Sequence, residues 1–236
     1  MRSVRPEPGF VPDIARWPAS VPAVGHVLRR GLSVAAGLTV VVGENGSGKS
    51  TLIELFAEAC GLNPQGGSVS TQYVGRVSEP GLGPHLIVER DPGRPRWSYF
   101  LRADTAHGLY SYLEDNPGRN AEPAFHELSH GEGFLALLRS KVNQAGFYLM
   151  DEPDAPLSFT STLGLVAVLG DLVAAGSQIV VATHSPILAA TPGATIIELG
   201  DWGLRTATWD ELLLVDHWRS FLTDPSSFLR RLVDEP

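Results

Sequence analysis

The chain has 236 residues and a net charge of −8, with 43% hydrophobic and 19% charged residues. That balance excludes a disordered chain and gives no global attraction to nucleic acid or anionic lipid. A lone cysteine, Cys60, excludes an intrachain disulfide. With no secretory signal and no apolar run of spanning length, the expectation is a cytoplasmic protein without an integral membrane segment.

Residues 1–22 are proline-rich and read as an extended lead-in. Trp17 reads as packing against the first strand, with stacking on an adenine as the alternative. Residues 24–28 and 32–36 are short strand candidates. Residues 38–42 (LTVVV) are apolar and β-branched, as a buried strand requires, and 51–60 (TLIELFAEAC) have helical apolar spacing. Between them run Gly43, Glu44, Asn45, Gly46, Ser47, Gly48, Lys49, Ser50 and Thr51. Gly43, Gly48, Lys49 and Ser50 satisfy G-x-x-x-x-G-K-[ST], the phosphate-binding P-loop, in the strand-before, helix-after context the motif demands. Glycines let the loop fold round a polyphosphate with N–H groups inward, where a Cβ would obstruct. Lys49 supplies a compact charge for the β- and γ-phosphates of a nucleotide, Ser50 a hydroxyl for Mg²⁺. The helix start adds its positive dipole end. Lys49 and Lys141 are the only lysines in the chain, so one of two falls at the motif position.

Residues 70–77, 84–91 and 96–104 are strand candidates separated by turn-like breaks, an apparent antiparallel block. Residues 105–115 read as a helix, followed by a Pro/Gly/Asn loop to 125. Arg90, Arg94, Arg96 and Arg102 cluster here with Trp97 and Tyr99 interleaved; a solvated strand edge with arginine–carboxylate pairs is preferred to a nucleic-acid surface. No heptad array or internal repeat occurs. The second half alternates helix (131–144), strand (147–151), helix (157–175), strand (178–183), short helix (186–190) and strand (195–199), which predicts a parallel sheet with helices packed on it. Residues 204–208 are a hairpin partner for the last strand. Helices at 210–222 and 226–233, with Asp210 and Ser226 as N-caps, close the chain.

FYLMDEP ends an apolar strand in two acids. Beside a P-loop, Asp151 is placed to hold Mg²⁺ and Glu152 to polarise the attacking water. IVVATHS ends a second buried strand in His184, which can hydrogen-bond the γ-phosphate; a capping or core histidine is the alternative. In LSHGE (Leu128 to Glu132, with Gly131 between) the helix-start N–H groups and the Ser129 hydroxyl form a further anion-binding end, and the Ser129–Glu132 spacing also suits a capping box.

P-loop, LSxGE, an apolar strand with DEP and a strand with TH, in this order, resemble the ATP-binding-cassette ATPases over roughly 39–185. FLRAD, SHGEGFLALL, DEPDAPLS, GSQIVVATHSPIL, PGATIIEL and SSFLRRLV look like the compact bacterial "AAA family" predicted ATPases, related to RecF-like, overcoming-lysogenization-defect and SMC-type heads. The resemblance implies an α/β P-loop NTPase fold: a mixed sheet flanked by helices, with an N-terminal antiparallel β block and a small helical segment. A single domain follows, with 1–104 the P-loop and antiparallel part, 105–145 the helical signature segment and 146–236 the part with the second acidic motif and C-terminal helices. By the same resemblance, residues 43–51 match Walker A, Asp151 and Glu152 Walker B, Ser129, Gly131 and Glu132 the signature, and His184 the switch histidine. It implies a head-to-tail homodimer closing over two ATP molecules and opening on hydrolysis.

Three departures stand out. The signature has His130 and Glu132 where transporters commonly have glycine and glutamine. Leu157–Ser158 replaces a common Leu-Asp pair. No clear Q-loop glutamine is present, leaving Asp104 or Gln72. The expected function is Mg-dependent ATP hydrolysis acting on an unknown protein or nucleic-acid partner, in DNA maintenance or defence. The alternatives are the ATP-binding subunit of an ABC transporter and an ATP-gated binding module with negligible turnover. A small-molecule kinase is disfavoured by the signature and switch motifs.

Overall fold

The computed structural model describes residues 1–69, 81–93, 97–104 and 130–233. The elements run β1 (Ser3–Pro6), α1 (Pro22–Arg30), β2 (Leu32–Ser33), β3 (Leu38–Val42), α2 (Lys49–Ala59), β4 (Gly67–Ser68), β5 (Leu86–Glu89), β6 (Ser98–Arg102), α3 (His130–Lys141), β7 (Phe147–Asp151), α4 (Phe159–Ala174), β8 (Gln178–Thr183), α5 (Pro186–Ala189), β9 (Thr195–Gly200), β10 (Gly203–Ala207), α6 (Leu213–Thr223) and α7 (Pro225–Val233).

Among the described residues seven strands form one sheet in the order β10-β9-β3-β8-β7-β6-β4. Strands β9, β3, β8, β7 and β6 are parallel, and β10 and β4 are antiparallel edges. Every residue of β3, β7 and β8 is buried, as expected for parallel strands covered on both faces. Side chains alternate between two cores. Val40, Val42, Tyr148, Met150, Ile179 and Val181 face a core shared with α3 and α4 through Phe134, Leu137, Leu165 and Leu169. Val41, Leu149, Val180 and Ala182 face the other, built with α1 and α2 through Val24, Val27, Leu52 and Phe56. The pairing brings the strands' carboxyl ends level: Val42 lies opposite Thr183 and Glu198, and Asp151 opposite Ala182 and Arg102. Ligands in open α/β sheets bind at that edge.

A small antiparallel sheet, β2-β1-β5, completes the frame. Its composition differs from the sequence expectation. Residues 3–6 of the proline-rich lead-in form its central strand, paired to both β2 and β5, whereas β6 leaves the block to run parallel to β7. Long-range pairing decides this, and local turn signals do not encode it. The candidate strand 70–77 and the candidate helix 105–115 lie outside the described residues.

Residues 24–28, read as a strand, belong to helix α1. Pro22 opens it, Arg29 and Arg30 occupy its last turn, and Gly31 closes it at φ 68, each a helix-boundary signal. A short apolar run fits both periods, and here the caps decide. The cap assignments also move. Thr208 and Glu211 form a capping box round a 3₁₀ turn before α6, and Asp224 Oδ1 accepts from the Ser227 N–H at the start of α7.

Gly170 lies inside α4, and a Cβ there would meet nothing within 4 Å. Gly170→Ala should raise stability by about 0.5–1 kcal/mol in urea unfolding, through lower chain entropy in the unfolded state. A loss of stability would contradict the open placement of that helix face.

Candidate functional site

The P-loop leaves β3 at Val42 and enters α2 at Lys49. Two glycines are required by the backbone. Gly48 has φ 92, and a Cβ there would collide with Val21 Cγ1; a Cβ on Gly43 would stand 2.6 Å from Ser47 Oγ. Lys49 is buried, and its Nζ donates to the carbonyls of Gly43 (3.0 Å) and Glu44 (3.1 Å), bracing the loop from within. Burial lowers the Lys49 pKa, against the attraction of Glu152 and Asp151. Helix α2 has no side-chain cap, so its first N–H groups are left for a ligand. Ser47 Oγ is buried with no hydrogen-bond partner among the described residues, a further donor that a bound phosphate would satisfy.

β7 lies two strands from β3, and its last residue reaches back to the loop. Ser50 Oγ donates to Asp151 Oδ1 at 3.2 Å, and Arg102 Nη2 lies 3.7 Å from Asp151 Oδ2. Burial pushes the Asp151 carboxyl up to about 6, against the opposing effects of Arg102 and the Ser50 hydrogen bond. A hydroxyl and a desolvated carboxylate in contact suit a hard cation that prefers oxygen and completes its shell with water and phosphate. Ser50 and Asp151 therefore fit magnesium.

Glu152 has φ 50, the only described non-glycine residue with positive φ. Its N–H is fixed to the Ala182 carbonyl at 2.9 Å, and its Oε1 stands 3.2 Å from His184 Nε2. Burial and the Lys49 charge lower the His184 pKa. The adjoining turns are tied together: Thr183 Oγ1 donates to Asp154 Oδ1 (2.6 Å), and the Ser185 N–H donates to Thr183 Oγ1 (2.9 Å). Burial raises the Asp154 pKa, against that hydrogen bond. A cleft beside the loop is lined by Gly43, Glu44, Asn45, His184, Leu213 and Trp218.

Lys49, Ser50, Asp151, Glu152 and His184 thus meet at one sheet edge. Gly131 lies against the turn after Glu152: a Cβ on it would come 2.9 Å from the Pro156 carbonyl. Glu132 lies in the first turn of the same helix, α3. Ser129 and Gln72 lie outside the described residues, as do Arg94 and Arg96. Asp104 follows β6 and pairs bidentately with Arg102. Arg102 itself is buried, which withdraws it from any nucleic-acid surface. Trp17 is 52% exposed, so it does not pack inside against the first strand. Ser158 caps α4 by accepting from the Ser161 N–H, a role that aspartate fills equally well.

Sequence reasoning missed Arg102 and Asp154 as parts of the site, and Trp218 as part of its wall. The residues opposite Asp151 follow from strand order, which pattern alone does not supply.

Residues 32–155 match the family model described as ABC transporter. The chain belongs to the ABC transporter family. It is an ABC-type ATPase, and its fold is that of the family's P-loop ATPase domain. It is 30% identical over 182 residues to the cytochrome c biogenesis ATP-binding export protein CcmA of Chelativorans sp., covering 69% of this chain and 87% of that one. A Rhizobium etli protein described as a ribose/galactose/methyl galactoside import ATP-binding protein is 26% identical over 203 residues, covering 75% of this chain and 39% of that one. Among solved structures, a transporter described as of metal-chelate type, in an inward-facing conformation, aligns with TM-score 0.51 and 16% identity, covering 94% of this chain and 88% of that one; at that identity the likeness concerns the fold.

The positive φ of Glu152 gives a direct check. Glycine is ordinarily about 0.5–1 kcal/mol less stable than alanine where φ is negative. At position 152 the order should reverse, Glu152→Gly exceeding Glu152→Ala by about 1 kcal/mol in chemical denaturation. The ordinary order would show that the left-handed backbone is not required there.

Proposed function

We propose that this ABC ATPase binds MgATP at the edge formed by β3, β8 and β7, and that hydrolysis opens a head-to-tail pair of chains. The observation behind this is the convergence of Lys49, Ser50, Asp151, Glu152 and His184 at that edge. In this reading the loop N–H groups and Lys49 grip the β- and γ-phosphates. Ser50 and Asp151 hold magnesium, which supplies neutralisation of charge on the phosphate oxygens. Glu152 orients the attacking water and accepts its proton. His184, with a lowered pKa and 3.2 Å from Glu152, presents a neutral ring that registers the γ-phosphate. In this reading Ser129, Gly131 and Glu132 serve the nucleotide of the other copy, as the resemblance to the family's signature motif implies.

As to what the pair drives, the relatives favour the ATP-binding subunit of a transporter with a separate membrane partner. Among the described residues no helix is long and apolar enough to cross a membrane, and in this reading a membrane partner supplies the translocation path. The relatives include an exporter and an importer by description, so the direction of transport is not carried over. The second reading, a RecF/SMC-like ATPase acting on a soluble or nucleic-acid partner, rests on the LSHGE and DEPDAPLS segments, which depart from the common transporter pattern. Fractionation separates the two. A transporter subunit sediments with membranes and co-purifies in detergent with an integral protein; a soluble ATPase does not.

Glu152→Gln should lower turnover by about 10²–10⁴-fold and become a dimer in MgATP by light scattering, with wild type returning to monomer as ATP is consumed. A variant that binds MgATP yet stays monomeric would contradict the pairing.

A further inference from the structure

Arg102 ends β6 with its side chain only 7% exposed. Its Nε and Nη2 donate to the two carboxylate oxygens of Asp104 at 2.9 and 2.7 Å. Its Nη1 donates to Glu54 of α2 and to the Pro64 carbonyl, the latter at 3.0 Å. Nη2 also lies 3.7 Å from Asp151 Oδ2. One guanidinium therefore fills the space among three carboxylates that come from three elements: α2, the end of β6 and the end of β7.

That arrangement has two consequences. Three carboxylates round one small volume are an oxygen donor set attractive to divalent cations, and a fixed internal cation competes for the same volume. The planar fork also divides its donors, so Asp104 and Glu54 draw it away from Asp151. Asp151 is left with Oδ1 on Ser50 and Oδ2 only loosely faced by Arg102. Asp104 is 61% exposed; the fork, not burial, holds it in place.

We propose that Arg102 is a positioning residue: it occupies the place between Glu54, Asp104 and Asp151, so that divalent metal enters only with the nucleotide, on the Ser50 side of Asp151. The inference rests on the reading of Asp151 as the metal residue.

The test uses the 236-residue chain as wild type, Arg102→Met and Asp104→Asn. Mn²⁺ binding without nucleotide is followed by electron paramagnetic resonance, and ATP hydrolysis is titrated with Mg²⁺. Arg102→Met should bind Mn²⁺ without nucleotide at concentrations where wild type leaves it free, and should turn over at least about tenfold more slowly. Asp104→Asn frees part of the fork to close on Asp151. It should raise the Mg²⁺ concentration for half-maximal turnover by about tenfold with the KM for ATP unchanged. Asp104→Asn changes an exposed side chain and decides the matter alone if Arg102→Met fails to fold. A folded Arg102→Met that leaves Mn²⁺ free, or an Asp104→Asn with the wild-type Mg²⁺ response, overturns the proposal, since a purely structural arginine would shift the melting temperature and not the metal response. Wild type that hydrolyses ATP without any need for Mg²⁺ would overturn the reading of Asp151 itself, and the proposal with it.

Discussion

The contact on which the site depends is the hydrogen bond from Ser50 to Asp151, made at 3.2 Å between residues 101 apart in sequence. It exists because β3 and β7 flank β8 in parallel register, so that a loop leaving one strand and a carboxylate ending another reach the same point. Parallel strands bury both faces, and the chain meets that demand with unbroken apolar strands in β3, β7 and β8. A slip of one residue would turn Asp151 into one of the two cores and bring Met150 to the edge. The same alternation that packs the sheet therefore aims the acid.

Around that point the chain breaks local rules where a ligand would benefit. Helix α2 lacks a side-chain cap, Glu152 holds a left-handed backbone, Asp151 is a carboxyl pushed up to about 6 by burial, and Lys49 spends its hydrogen bonds on loop carbonyls. Each is a local cost that a polyanion and a cation, bound as proposed, would relieve or use. Such conflicts between local preference and global fold are expected at functional sites. Elsewhere several starts are capped, Ser158 on α4, Ser185 on α5 and a capping box in the turn before α6, while α1 and α6 themselves also begin without a side-chain cap.

The core of the site was legible because its motifs are contiguous. Residues 43–51, Asp151–Glu152 and His184 each follow a short apolar strand, and periodicity with spacing is enough to find such units. The bounds 147–151 and 178–183 were legible for the same reason. What escaped was non-local. The role of residues 3–6 as a central strand depends on pairing with residues 86–89 far along the chain. The helix at Pro22–Arg30 was misread because its apolar run is short and its caps lie outside it. Arg102 read as part of a basic surface cluster, since nothing adjacent to it announces that Glu54, Asp104 and Asp151 surround it. Its meaning depends on β6 lying beside β7.

The account stands on Ser50 and Asp151 acting as one unit, and a double-mutant cycle measures that directly. Affinity for ATP is compared with and without Mg²⁺ in wild type, Ser50→Ala, Asp151→Asn and the double variant. The account predicts that the Mg²⁺-dependent gain is lost in each single variant and little further in the double, a coupling of about 1–3 kcal/mol. Losses that add to within about 0.5 kcal/mol would mean the two side chains act independently, and would contradict a shared metal at this edge.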